Sequence, residues 1–173
     1  YSGMALDVTV GYKVNKMFSA TAFFTYISGD DESTTDREDF GSVAISSFYG
    51  RMMIIEASNK LVGDNTLDLS GDDSVGGGAY NSQNGYWIGG IMLNVSVKKF
   101  SIDLNIAYAK AIEKLTASAA DIGIEADLVL AYEFEENAKI MTNFAFLAAG
   151  DYFKTGSVKE NGIYAGLGLT YSF

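Results

Sequence analysis

Eight polar side chains fall on one face of an otherwise alternating sequence: Asp7, Lys13, Lys98, Asp103, Asn105, Glu125, Asp127 and Glu133. Five acids against two lysines suit three kinds of chemistry. They can line a water-filled passage and favour cations. They can pair with basic groups on neighbouring strands. As paired carboxylates they can do acid–base work, although no spacing here defines such a pair across strands. The chain has no His, no Cys and no Pro. A Ser-His-Asp nucleophile, a thiolate or imidazole metal site and a disulfide framework are therefore excluded. The acidic runs Asp30-Asp31-Glu32, Asp36, Glu38-Asp39 and Asp72-Asp73 offer the oxygen ligands that Ca²⁺ prefers, but not at EF-hand spacing. They read as solvated loop acids. Gly76-Gly77-Gly78 has no strand-to-helix context and no closing Lys, so it is a loop and not a phosphate cradle. No enzyme, metal or cofactor is expected. The net charge of −10 and pI of about 4.3 argue against nucleic acid as a partner.

The elements that position these residues are strands. Apolar residues are 48 % of the 173, and they alternate with period two. Leu6, Val8, Val10, Tyr12 and Val14 share one face, against Asp7, Thr9, Gly11 and Lys13. Phe18, Ala20, Ala22, Phe24 and Tyr26 oppose Ser19, Thr21 and Thr25, with Phe23 and Ile27 as apolar exceptions on the polar side. The pattern resumes over 87–97, 100–109, 122–134, 140–149 and 162–173. These are seven strands of about ten to thirteen residues. A tilted strand crossing a bilayer needs roughly 9–11 residues, and soluble strands average roughly five or six.

The connections alternate in length. Asn15-Lys16, Lys98-Lys99 and Glu135 to Ala138 are short, whereas 29–86, 110–121 and 150–161 are long and polar. Short turns at one rim and long loops at the other is the asymmetry of an outer-membrane barrel. The aromatics of the apolar face sort to both rims. Tyr12, Phe18, Phe100, Tyr132, Phe134, Tyr171 and Phe173 fall by the short turns; Tyr26, Trp87 and Tyr108 fall by the long loops. The expectation is one all-β domain over 1–173, an antiparallel up-and-down transmembrane β-barrel with apolar residues facing lipid. A soluble lipocalin-like barrel explains the alternation but not the two aromatic girdles.

Within the long outer region 29–86, residues 43–69 are expected to form an extra strand pair turning at Ser58-Asn59-Lys60. The alternative is a hairpin inside the loop. Residues 109–119 offer a short helix with Ile112 and Leu115 on one side. Seven or nine strands is an odd count, and bacterial single-chain barrels have even counts. The first strand also starts at the outer rim, so the chain reads as an incomplete, C-terminal portion of a larger barrel. On the inner face, Ala107, Ala109, Gly123, Ala145, Gly166 and Gly168 are too small to plug a barrel unaided. These imply an open lumen, or one filled by another segment or chain.

The C-terminal Tyr164-Ala-Gly-Leu-Gly-Leu-Thr-Tyr-Ser-Phe173 resembles the closing strand of outer-membrane β-barrel proteins of the porin superfamily. The resemblance implies that the barrel-assembly machinery reads Tyr171 and Phe173 as its signal. Phe24-Thr-Tyr-Ile-Ser-Gly-Asp-Asp31, Ala148-Ala-Gly-Asp-Tyr-Phe153 and Val97-Lys-Lys-Phe-Ser-Ile102 resemble loop and turn devices of alginate-export-type porins. The acidic inner face departs from that family, because a polyanion conduit needs a Lys- and Arg-rich lining. Together these readings imply a bacterial outer-membrane porin for passive diffusion of ions or small hydrophilic solutes. The alternative is a structural barrel serving as an anchor or as a sheath for a partner protein. The expected partners are outer-membrane lipid, the assembly machinery, and remaining strands, other chains or a periplasmic partner.

Overall fold

The computed structural model describes residues 3–29, 51–53, 55, 85–113, 119–153, 158 and 161–171. The alternating stretches form β1 (Ala5–Lys13), β2 (Phe18–Ile27), β3 (Tyr86–Val97), β4 (Phe100–Ala111), β5 (Asp121–Glu135), β6 (Ala138–Ala149) and β7 (Gly162–Tyr171). They make one antiparallel sheet in strict chain order, β1 to β7. The seven expected strands and the up-and-down topology are therefore present. No ladder joins β1 to β7 among the described residues, so the sheet is open, with β1 and β7 as its edges.

Side-chain chemistry sets the tight turns. The Asn15 side-chain oxygen accepts the backbone N–H groups of Met17 and Phe18 at 2.8 and 2.9 Å, which folds the chain between β1 and β2. Lys98 takes a left-handed φ of 53° in the two-residue turn between β3 and β4. The turn between β5 and β6 is shorter than expected. The ladder continues to Glu135 and Ala138 through an irregular register after Glu133, leaving Glu136 and Asn137 as the turn. At the other rim β5 begins with a bulge opposite Ala109 and Lys110. Gly123 there has φ of 127°, and a Cβ on it would fall 2.3 Å from the Ala148 carbonyl oxygen.

Two further expectations change. Strand β4 runs through Ala111, so no helix begins at 109; residues 114–118 lie outside the described residues. Of the strand pair expected over 43–69, only Arg51 to Met53 and Ile55 are described, and none of them is in a strand. The rest of that range lies outside the described residues. The four described positions lie against the sheet instead.

That contact distinguishes the two faces. The inner face buries Phe23, Thr25, Tyr86, Ile88, Ala107, Ile122, Glu125, Asp127 and Leu147. The outer face carries the apolar residues of the alternation and leaves them open. Leu6, Val10, Tyr12, Ile91, Phe100, Ile106, Ile124, Phe144, Ile163 and Leu167 are all exposed. This reverses the arrangement of a soluble sheet, whose apolar face is covered. Aromatic pairs form at both ends of the outer face. Phe100 stacks on Tyr132 at 4.5 Å near the short turns, and Trp87 meets Tyr108 edge-on at 5.3 Å near the long connections.

Candidate functional site

Three inner-face acids fasten the segment 51–55 across the sheet. Asp7 projects from β1, and Glu125 and Asp127 from β5. The Arg51 guanidinium donates to both Asp7 carboxylate oxygens, at 2.7 and 2.8 Å. This two-point geometry matches the planar fork of arginine to a carboxylate. Thr25 from β2 tightens it. Its hydroxyl donates to Asp7 at 2.6 Å and accepts from Arg51 at 2.9 Å. Thr9 accepts a further Arg51 N–H at 3.1 Å. The Arg51 guanidinium also lies 4.9 Å from the centre of the Phe23 ring, within cation–π range.

The backbone of the segment is anchored as well. Asp127 accepts the Met53 N–H at 2.9 Å, and Glu125 accepts the Ile55 N–H at 2.6 Å. Asn105 of β4 donates its amide to the Arg51 carbonyl oxygen at 3.0 Å. Backbone groups taken out of water need partners, and the strand acids and amide supply them. Side chains complete the seat. Met52 and Ile55 are fully buried with Phe23, Ile27, Tyr86, Ile88, Ala107, Ala109 and Ile122, while Met53 packs with Val129 and Ala145. The small alanines of β4 and β6 are what leave room for the segment.

This arrangement corrects part of the sequence reading. Asn105, Glu125 and Asp127 were expected to line a passage, yet each is at most 2 % exposed beneath the segment. Asp7 is largely covered by Arg51. Asp103, Lys13, Lys98 and Glu133 are not brought into this cluster. Asp103 accepts the Asn94 amide at 2.6 Å and stays half-exposed. Lys13, Lys98 and Glu133 are exposed near the short turns and form no ion pair among the described residues. Tyr171 is exposed at the end of β7, and Phe173 lies outside the described residues.

Sequence reasoning missed Arg51, Met52, Met53 and Ile55 as inner-face components, and Thr25 as part of the clamp. A signal was present in Phe23 and Ile27. Two large apolar residues on a polar face require an apolar cover, and Met52 and Ile55 supply one. Asn143 gave no such signal. It is fully buried on the inner face of β6, and its amide has no hydrogen-bond partner among the described residues.

Among the described residues no group of acids could hold a metal ion, and no helix is long and apolar enough to cross a membrane. No known family model matches the chain, and no curated protein matches it.

Proposed function

We propose that the sheet is a sector of a transmembrane β-barrel of the bacterial outer-membrane kind, and that the barrel is a porin for ions or small hydrophilic solutes. One observation carries the reading. The outer faces of all seven strands expose large apolar side chains, while polar and charged groups turn inward. In water such a face would aggregate; against lipid it is the stable arrangement. Strand lengths of 9 to 15 residues suit a tilted crossing, and the aromatic pairs at both ends suit the two interfaces. In this reading further strands join β1 to β7, lipid and the assembly machinery are the partners, and segment 51–55 narrows the lumen at the long-loop half.

A second reading is favoured by the same segment. Met52 and Ile55 are fully buried, so the inner face beneath them is packed and dry. A barrel filled in this way along its whole length is a structural element without conductance.

Single-channel recording in planar bilayers separates the two. The porin reading expects discrete conductance steps, and a larger step for Arg51→Ala, which frees the segment from Asp7. Inserted protein that stays silent in both forms establishes the structural barrel instead.

A further inference from the structure

We propose that Asp7, Thr9, Phe23 and Thr25 form a binding site for guanidinium-bearing solutes, which Arg51 occupies as a tethered competitor. The proposal rests on the porin reading for the route by which a solute arrives. Asp7 and Thr9 project from β1, and Phe23 and Thr25 from β2. Asp7 is the register partner of Thr25, and Thr9 that of Phe23. The four are therefore two consecutive cross-strand pairs on one face, a contiguous block. Phe23 and Thr25 are buried, whereas Thr9 is exposed, so the block has a closed floor and an open side.

The block matches a guanidinium group by group. One terminal nitrogen donates to Asp7 at 2.7 Å and to Thr25 at 2.9 Å. The other donates to Asp7 at 2.8 Å and to Thr9 at 3.1 Å. Both nitrogens are thus served twice, which uses all four of their N–H groups. Thr25 gives its own proton to Asp7 at 2.6 Å, which turns its lone pairs toward the cation. The Phe23 ring adds an aromatic surface 4.9 Å from the guanidinium carbon. An ammonium has three donors and no planar fork, so it cannot satisfy the same block.

None of these contacts depends on what carries the guanidinium. The Arg51 and Asp7 side chains keep 17 % and 16 % of their surface open, so a solute can reach the pair before segment 51–55 lifts. The tether gives Arg51 an advantage, because a linked group competes at an effective concentration of about millimolar. A solute that wins the block unties the segment from β1 and β2, and the passage widens. The site therefore acts both as a recognition point for guanidinium solutes and as the trigger of their own passage.

The test uses the full chain in detergent micelles, with methylguanidinium and methylammonium as probes. Arg51→Ala empties the block, and methylguanidinium is expected to raise its Tm saturably, whereas methylammonium is not. In the wild type half-saturation should need at least tenfold more methylguanidinium. Arg51→Lys keeps a cation on the tether without the fork and should fall between the two; it carries the test if Arg51→Ala does not fold. Adding Asp7→Asn to either variant should abolish the response. A response that survives Asp7→Asn, an equal response to both probes, or no response in either variant would overturn the site. In planar bilayers methylguanidinium should move wild-type channels to the larger step expected of Arg51→Ala, and channels that ignore it would overturn the competition. Binding in micelles needs no conductance. A protein that binds methylguanidinium yet stays silent in bilayers would sink the porin reading and keep the site, which separates the two failures.

Discussion

Arg51 donates hydrogen bonds to three inner-face side chains, Asp7, Thr25 and Thr9. It ties β1 and β2 to a segment reached only through a long connection, and it does so through donors that match Asp7 in pairs. Hydrogen bonds to charged partners contribute about 1.5–3 kcal/mol each when made in a partly buried setting. Arg51→Ala is expected to lower stability by about that much in total, because water can enter and solvate the abandoned Asp7. Urea unfolding of the vesicle-inserted protein measures it. Gly90 illustrates a constraint of the opposite kind. A Cβ there would fall 2.5 Å from the Ile106 carbonyl oxygen and 2.8 Å from the Phe23 ring. Gly90→Ala is expected to cost about 1–3 kcal/mol by overpacking, read in the same unfolding assay.

At the scale of the strand, alternation specified the pairing and the faces. Each of the seven strands could be found from apolar residues at every second position, because a face that is apolar along its whole length leaves a strong period-two signal. The segment 51–55 left no such signal. Met52, Met53 and Ile55 are apolar in a row, and a run of this kind reads equally as a strand or as a plug; only tertiary contact with Phe23 and Ile27 decides it. The same contact moved Asn105 from a passage lining to a buried anchor. Spin labels test the consequence. A label at Ile102 is expected to meet lipid-soluble oxygen, a label at Asp103 an aqueous relaxer, and a label at Asn105 neither until Arg51 is replaced. An Asn105 label as accessible to the aqueous relaxer as the Asp103 label would contradict the seating of the segment.

For the molecule as a whole, counting inner-face charges from sequence overstates the field. Five acids face two lysines on paper. Yet Asp7 is neutralised by Arg51, and Glu125 and Asp127 are buried against backbone N–H groups. Of the eight residues first picked out, Asp103 and Glu133 remain to face Lys13 and Lys98 in the open half. In the proposed porin reading these two acids and two lysines balance, so little selectivity between cations and anions is expected, and screening over a Debye length of roughly 8 Å weakens it further. Reversal potentials in a salt gradient measure this; strong anion selectivity would show that strands beyond β1 and β7 dominate the lining.

The clamp also has a temporal meaning. All neighbouring strands but β2 and β3 pair across connections of a dozen residues or fewer, whereas the contacts of segment 51–55 span 26 to 74 residues of chain. Their ring closure is entropically slow, and their partners on β1, β2, β4 and β5 must first stand side by side. The segment therefore docks after the rate-limiting association of the sheet, like a bolt pushed home once the frame is assembled. Arg51→Ala is expected to leave the folding rate into vesicles unchanged and to accelerate unfolding, so the full loss of stability appears on the unfolding limb. A slowed folding limb would place the bolt in the nucleus instead.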